Sequence, residues 1–258
     1  MKIRAVLLDM DGTLLGKSQV AVSTRNMRAI QRAIQKGVSV IPCTGRVLDM
    51  LPPQLITQEG LRYFVTCHGA RVVDSEKNET LYEDMIPPEE AAQLMALLEG
   101  RGLYNEIAAN ATIYLEKTIA DTLDRQPVPE HHLWYMRDRC YTALEKPSEF
   151  MRKNGVGVEK MNIYGVPAEL QQEIYDAVTA TGFIKHTRLG AGPNLEFSHR
   201  TLDKIKATDT LLEKLGISYA ETMAIGDSSS DLEIIRRCGV GLARTGSYLG
   251  HGSGEVML

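Results

Sequence analysis

The chain has 258 residues, of which 43% are apolar, and a formal net charge of −4 at pH 7. This length suffices for a buried core in one large domain or two smaller ones. The charge balance argues against nucleic-acid binding, no apolar run approaches membrane-spanning length, and the short N-terminal apolar stretch is unlike a signal peptide. We therefore expect no nucleic-acid or membrane partner, and the oligomeric state stays open.

The first 70 residues alternate strand and helix patterns. Ser23 is a suitable N-cap for a helix and Gly37 a suitable C-terminal stop. The pattern predicts a helix over residues 23–36 and strands over residues 3–8, 38–43 and 63–66. Such an alternation is typical of a parallel sheet with right-handed crossovers.

The pattern changes from about residue 84. Pro87 and Pro88 open an Ala- and Leu-rich helix that ends near Gly102, and Pro167 opens another that ends at Gly182. Residues 118–155 are charged and look irregular. Strands are predicted over residues 103–108, 111–116, 159–164 and 183–189. This stretch predicts a second α+β unit.

The strand and helix alternation then returns. The pattern predicts helices over residues 202–215 and 232–237 and strands over residues 222–225 and 240–242. We therefore predict an α/β fold. A Rossmann-like parallel-sheet core is formed by residues 1–83 and 190–258, and an α+β domain is inserted over residues 84–189.

The cysteines show no pattern of paired spacing. Cys43, Cys67, Cys140 and Cys238 are scattered, without a CxxC pair or a metal-like spacing to histidine. Cysteines without paired spacing are typically reduced thiols, and this predicts a cytoplasmic location.

Two acidic residues follow the first predicted strand. Asp9 and Asp11, in Asp9-Met10-Asp11-Gly12-Thr13, would lie at its carboxyl end, in the crevice where open α/β sheets bind ligands. Carboxylates in such a place need a partner, and a hard cation such as Mg²⁺ is the usual one. Gly12 permits a sharp turn. The alternative is an ordinary turn with solvated acids.

Three other segments also end a strand or begin a helix. Thr44-Gly45 offers a hydroxyl and backbone N–H groups to a phosphate, although it could be an ordinary turn. Asp227, in the Gly226 to Asp231 segment, is a candidate metal ligand, although Ser and Asp there could simply cap a helix. Lys204 begins a helix, where the dipole disfavours a cation, so anion binding would explain it, a solvated lysine being the alternative.

Together these motifs resemble the haloacid dehalogenase superfamily of phosphatases. The matching residues are the Asp9 to Thr13 stretch, Thr44 with Gly45 and Arg46, Asp203-Lys204, and Gly226-Asp227 with Asp231. The insertion between the Thr44 and Lys204 motifs resembles the Cof-type subfamily, whose members carry an α/β cap there.

The resemblance implies a role for each residue. Asp9 would be the nucleophile that forms an aspartyl-phosphate, and Asp11 the general acid and base. Mg²⁺ would be held by the Asp9 side chain, the Asp11 carbonyl and Asp227. Phosphate oxygens would be held by Met10, Thr44, Gly45, Lys204 and Ser230, with Asp231 supporting its neighbours. Candidates for contact with the rest of the substrate are Arg46, Asn194, Arg188, His131, His132 and Trp134.

The chain departs from the family pattern at several places. Ser230 stands where Asn is usual, Ile205 where Gly is usual, and His68 where Asn is common, and residues 198–201 lack the expected Pro and Gly. We expect His68 to be a loop residue without a role. Residues 243–254 are rich in Gly and Ser, which predicts a poorly ordered tail in place of a closing helix.

The predicted function is a Mg²⁺-dependent phosphatase for small phosphorylated metabolites, with sugar phosphates as the leading class. Two alternatives stay open. One is a phosphosugar mutase of the same fold. The other is a catalytically impaired phosphometabolite-binding protein, suggested by Ser230, Ile205 and the short tail.

Overall fold

A computed structural model describes residues 2–16, 19–137, 141–189 and 194–243, with the side chains of residues 186–189 left out. Its strands are β1 Ala5–Leu8, β2 Ser39–Pro42, β3 Tyr63–Thr66, β4 Arg71–Asp74, β5 Glu79–Glu83, β6 Tyr104–Ala109, β7 Thr112–Glu116, β8 Tyr141–Leu144, β9 Lys160–Tyr164, β10 Ile184–Leu189, β11 Leu195–His199, β12 Thr222–Gly226 and β13 Val240–Ala243. Its α-helices are α1 Thr24–Gln35, α2 Pro53–Ile56, α3 Pro88–Leu98, α4 Lys117–Ala120, α5 Glu130–Arg137, α6 Pro147–Asn154, α7 Ala168–Ala180, α8 Lys204–Leu215 and α9 Leu232–Arg237. Within the described ranges, no helix has both the length and the apolar composition that crossing a bilayer requires.

The chain divides into two compact units. The first is built from the described residues of Met1–Arg46, Leu51–Glu83 and Asp203–Leu258, and the second from those of Val47–Met50 and Asp84–Leu202. The first unit contains a parallel sheet of order β13-β12-β1-β2 and an antiparallel sheet β3-β4-β5. The second contains a six-stranded sheet of order β10-β11-β9-β6-β7-β8. The predicted α/β class, with a parallel core sheet, is confirmed.

The register of the parallel sheet aligns the ends of its strands. Leu8, the last residue of β1, pairs with Ile225 of β12 on one side and with Pro42 of β2 on the other. Residues that follow these strands therefore emerge at the same edge. The inner face of β1 is fully buried, because Ala5 and Leu7 pack with apolar residues of α8.

The second unit extends further along the chain than the predicted insert over residues 84–189. Strand β11 pairs with β9 and β10, so the chain returns to the first unit only at Asp203. The segment after β11 is tied to the start of the unit. His199 Nδ1 lies 2.6 Å from an Asp84 carboxylate oxygen, and the Thr201 hydroxyl donates to both oxygens of Asp84.

The prediction that residues 118–155 are irregular was wrong, because α4, α5, β8 and α6 lie there. These elements have only 4 to 8 residues each, so the apolar residues do not repeat often enough to indicate a helix or a strand. Local signals were nevertheless present for α6. Pro147 stands at its first turn, and Gly155 ends it with φ of 63°. Strands β4, β5 and β11 were also not predicted.

The β6–β7 hairpin contains a strained turn. Ala109 pairs with Thr112, and the two residues between them, Asn110 and Ala111, have φ of 51° and 66°. Asparagine tolerates this left-handed region, whereas alanine does not. The turn is nevertheless held, because the Ala111 amide donates to a carboxylate oxygen of the fully buried Glu159 at 2.9 Å.

We predict that Ala111→Gly stabilises the protein. Relief of the left-handed alanine is worth roughly 1–2 kcal/mol. The greater conformational freedom of glycine in the unfolded chain lowers the free energy of unfolding by about 0.5–1 kcal/mol. The net increase in the free energy of unfolding is therefore of order 1 kcal/mol. Chemical denaturation measures it. Ala180→Gly, in the last turn of α7, is the matched control and should destabilise. A denaturation midpoint of Ala111→Gly below that of the wild type would contradict the proposed strain at Ala111.

Candidate active site

Three carboxylates meet at the carboxyl edge of the parallel sheet. Oxygens of Asp9, Asp227 and Asp231 all lie within 4.8 Å of one another. Asp9 directly follows β1, and its amide donates to the Ile225 carbonyl of β12 at 2.9 Å. Asp227 directly follows β12. The pairing of β1 with β12 therefore joins residues more than 200 positions apart in one acidic cluster.

Gly12 allows this close approach. Its φ is +83°, and a Cβ atom built there would lie 1.9 Å from an Asp227 carboxylate oxygen. Any other residue would therefore be strained and would displace Asp227. The Thr13 hydroxyl points to the other oxygen of Asp227, at 3.4 Å. The absence of a side chain at Gly12, where the sequence predicted a sharp turn, thus also makes room for Asp227.

Asp9 is the most perturbed of the acids. Burial raises the pKa of Asp9 to about 7, with repulsion from Asp231 acting in the same direction. Attraction to Lys204 and hydrogen bonds from Thr13 and the Met10 amide oppose this change. Its Oδ2 atom is buried without a hydrogen-bond partner among the described residues. A buried carboxylate oxygen of this kind fits coordination of a cation or attack on an electrophile.

The residues at this site fit a hard divalent cation. The donors are carboxylate oxygens, which Mg²⁺ prefers, and the Asp9 carboxylate also has a buried oxygen, Oδ2, without a hydrogen-bond partner among the described residues. A cation there would reverse the unfavourable burial of negative charge on Asp9. Asp231 is less suited as a ligand than Asp227, because its oxygens already accept hydrogen bonds from Lys204 and Ser228.

Lys204 is buried and bound to Asp231. Its ammonium lies 2.6 Å from Asp231 Oδ1 and 3.5 Å from the Cys43 carbonyl, and the two charged side chains are 9% and 6% exposed. Burial disfavours both charges, yet attraction to Asp231 outweighs it and raises the pKa of Lys204. The same pair, with hydrogen bonds from Ser228, lowers the pKa of Asp231. Both groups are therefore ionised at neutral pH.

The helix that carries Lys204 begins with a capped turn. Asp203 accepts the amide of Ile205 at 2.8 Å, which orients the first turn of α8. The Ile205 side chain is 8% exposed and belongs to the apolar cluster of the first unit. Isoleucine in place of the usual glycine therefore adds its side chain to the core.

The Thr44-Gly45-Arg46 segment lies at the end of β2. Thr44 is 1% exposed, its amide donates to the Val65 carbonyl at 2.8 Å, and its hydroxyl accepts the Arg46 amide at 3.1 Å. These bonds fix the segment at the same edge of the sheet as Asp9, because β2 pairs with β1.

Arg46 holds the side chain of Asp11, which the sequence did not predict. Its Nε donates to Asp11 Oδ2 at 2.8 Å, and Nη2 donates to Asp11 Oδ1 and, at 2.8 Å, to the Gln19 carbonyl. The guanidinium group is 9% exposed and the Asp11 side chain 39%. A forked ion pair therefore fixes the Asp11 side chain on Arg46.

The other predicted residues differ in their surroundings. Ser230 is exposed, and its hydroxyl bonds to that of Ser228 at 2.6 Å. Asn194 belongs to the second unit, where its side-chain oxygen accepts the Gly165 amide.

The remaining candidates also lie in the second unit. His132 Nε2 is 2.6 Å from the buried Glu106, next to His131 on α5, and Trp134 is 42% exposed. The side chain of Arg188 and the tail from residue 244 lie outside the described residues.

Comparison with known proteins assigns the family. Residues 6–245 match the haloacid dehalogenase-like hydrolases, so the chain belongs to that family. The chain is 24% identical to phosphatase YwpJ of Bacillus subtilis, over 93% of its own length and 89% of the relative's. It is 26% identical to 5-amino-6-(5-phospho-D-ribitylamino)uracil phosphatase YcsE of the same organism, over 93% and 83%. A solved haloacid dehalogenase-like hydrolase from Bacteroides thetaiotaomicron shares the fold, with a TM-score of 0.73, 23% identity and coverage of 94% and 88%.

These matches confirm the predicted resemblance to the haloacid dehalogenase superfamily. They also confirm the prediction that the protein is a hydrolase, because its relatives are named phosphatases.

We predict that the metal-free protein loses stability as the pH rises from about 4 to about 7. The folded state holds the Asp9 proton up to a pKa of about 7, whereas an unfolded aspartate loses it near 3.9. The folded state therefore binds more protons across this range, and stability falls as they leave. Asp9→Asn removes this dependence, so in EDTA its melting temperature should exceed that of the wild type at pH 8, with a smaller gap at pH 5.

The exposed Asp176→Asn on α7 serves as the control, and its difference from the wild type should not change with pH. Equal melting temperatures of Asp9→Asn and wild type at pH 8 would contradict the unfavourable burial of the Asp9 charge.

Proposed function

We propose that this protein is a Mg²⁺-dependent phosphatase that hydrolyses small phosphorylated metabolites, with sugar phosphates as the leading class, through an aspartyl-phosphate. The observation that carries the proposal is the Asp9 carboxylate, which has a buried and unpartnered Oδ2 among the described residues and lies within 4.8 Å of carboxylate oxygens of Asp227 and Asp231. Lys204 is bound to Asp231 of the same cluster. The phosphatase names of the relatives support the reaction class. YcsE is named for a phosphorylated ribityl compound, which supports a small phosphorylated substrate.

In the proposed reaction, a carboxylate oxygen of Asp9 attacks phosphorus and the ester P–O bond breaks. Asp11 donates a proton to the leaving oxygen, which departs as an alcohol. Asp11 then takes a proton from water, whose oxygen attacks the aspartyl-phosphate and releases inorganic phosphate and the Asp9 carboxylate. The 39% exposure of Asp11 leaves it accessible to the leaving group and to water.

The phosphate oxygens are proposed to bind the Thr44 hydroxyl, the Met10 and Gly45 amides and the Lys204 ammonium. Donors aimed at developing negative charge are worth a few kcal/mol each in a transition state. The carboxylates of Asp9 and Asp227, with the Asp11 carbonyl, would hold Mg²⁺, which offsets the repulsion between Asp9 and the phosphate. Ser230 is left out of this set, because its hydroxyl is exposed and bonded to Ser228.

The second unit is proposed to be the cap that selects the leaving group. It contains a polar cluster on one face of its sheet. The fully buried Glu106 accepts the Tyr104 hydroxyl at 2.9 Å and lies 2.6 Å from His132, and the nearby Lys160 binds Glu196 at 2.9 Å. These groups bind one another, so none of them is assigned to the leaving group.

A cytoplasmic location remains part of the proposal. Cys43 and Cys238 form no disulfide among the described residues, which is typical of a reducing compartment.

We predict release of inorganic phosphate from an aryl phosphate and from a panel of sugar phosphates in the presence of Mg²⁺, and its loss in EDTA. Asp9→Asn should lower kcat by at least about 10³-fold, because the amide is not a nucleophile. Asp11→Asn should lower it by about 10²–10⁴-fold, and most for poor leaving groups, because these depend most on proton donation. A colorimetric phosphate assay measures all three proteins.

Glu213→Gln, an exposed carboxylate of α8 in the same unit, is the matched control and should keep full activity. Full activity of Asp9→Asn would refute the proposed nucleophile. A phosphorylated isomer without free phosphate would instead identify a mutase, and tight binding of a sugar phosphate without turnover would identify a binding protein.

A further inference from the structure

The turn at residues 67–69 has an unusual backbone. Cys67, His68 and Gly69 have φ of 48°, 56° and 98°, so three consecutive residues lie in the left-handed region. Only glycine adopts that region without strain, and histidine and asparagine enter it more often than most other residues. Strain of this kind persists only where surrounding contacts hold it, and it is concentrated at functional sites.

Main-chain hydrogen bonds attach this turn to the proposed phosphate-binding segment. The Cys67 amide donates to the Arg46 carbonyl and the His68 amide donates to the Thr44 carbonyl, both at 3.0 Å. Two successive N–H groups of this left-handed turn therefore donate to the same neighbouring segment. The turn therefore supports Thr44-Gly45-Arg46 from one side.

The imidazole ring of His68 packs against Gly45. A Cβ atom built on Gly45 would lie 2.4 Å from both Cε1 and Nε2 of the ring. The ring therefore occupies the space where a side chain at position 45 would stand, and it limits movement of the Gly45 amide. An asparagine at position 68 would keep the turn but is too short to provide the same ring contact.

The other side of the turn packs against the start of α8. A Cβ atom on Gly69 would lie 2.7 Å from the Cα of Lys204 and 3.2 Å from the Cβ of Ala207. One three-residue turn thus contacts both the segment of Thr44 and the backbone that carries Lys204. These are the two places from which a hydroxyl, an amide and an ammonium group are proposed to bind phosphate.

We propose that His68 is a positioning residue, which fixes the Gly45 amide and keeps the Thr44 segment at a set distance from Lys204, so that the donors converge on one phosphate. This inference rests on the proposed function, because it assigns a support to the same phosphate site. It replaces the expectation that His68 has no role. The contact through Gly45 means that His68 acts on phosphate affinity and does not take part in bond making.

The test is His68→Asn, which retains a residue that tolerates the left-handed turn and removes the ring. The variant should keep its melting temperature within a few degrees and its half-saturating Mg²⁺ concentration. KM for an aryl phosphate and the inhibition constant of inorganic phosphate should both rise about tenfold, the size expected for a misplaced charge-assisted hydrogen bond. The kcat value should change by less than about threefold.

Asn78→Ala is the matched control, because Asn78 is an exposed residue of the same unit with φ of 52° and should leave the inhibition constant unchanged. An unchanged KM and inhibition constant in His68→Asn would overturn the proposal. A fall in kcat alone would also overturn it, since the ring would then act in the chemical step.

Direct calorimetry of inorganic phosphate binding in Mg²⁺ separates this inference from the proposed function. If the wild type binds phosphate but does not turn over any ester, the phosphatase proposal fails, and a tenfold weaker affinity of His68→Asn still supports the positioning role. If the wild type binds no phosphate, the positioning role is overturned as well.

Discussion

A carboxylate buried at the end of a central strand requires compensation, and the surroundings of Asp9 are arranged around that requirement. Burial and the nearby Asp231 raise its pKa to about 7. Lys204 forms its ion pair with Asp231, and among the described residues neither Asp9 nor Asp227 has an ion pair of its own. The protein thus provides positive charge for the supporting acid and leaves the two outer acids to an external cation. A neutral side chain at position 9 would be more favourable for folding alone, so the cost is best explained by function.

Parallel strand pairing converts distant residues into one site. Asp9, Thr44 and Asp227 each follow a strand, and β2, β1 and β12 lie side by side in register, so the three residues emerge at one edge. Close contact then depends on glycine, because a Cβ at Gly12 would overlap Asp227 and a Cβ at Gly45 would overlap His68. The rigid sheet sets the position of each segment, and the glycines allow the last few ångströms of approach.

The sequence predicted the parallel sheet and the acids at its edge, because buried strands read as apolar runs and Asp9 and Asp227 directly follow two of them. It did not predict β11 as part of the second unit, since which sheet a strand joins depends on long-range pairing. It also did not predict the contacts of Arg46 with Asp11 and of His68 with Gly45. Those contacts depend on side-chain direction and on left-handed backbone angles, and neither leaves a local pattern in the chain.

The balance of charge at this edge suggests an order of binding. Among the described residues discussed at this edge, four carboxylates, those of Asp9, Asp11, Asp227 and Asp231, stand against two cations, Arg46 and Lys204. Both cations are already paired with protein carboxylates, so a phosphate ester that arrived first would meet a net negative site. A divalent cation held by Asp9 and Asp227 would bring the ionised site close to neutral, and a phosphate ester would then meet less repulsion. Lys204 can serve the phosphate without leaving Asp231, because an ammonium has three donors and can bind both groups at once. Arg46 donates to both carboxylate oxygens of Asp11, so Asp11 must leave this fork before it can act as the proposed acid.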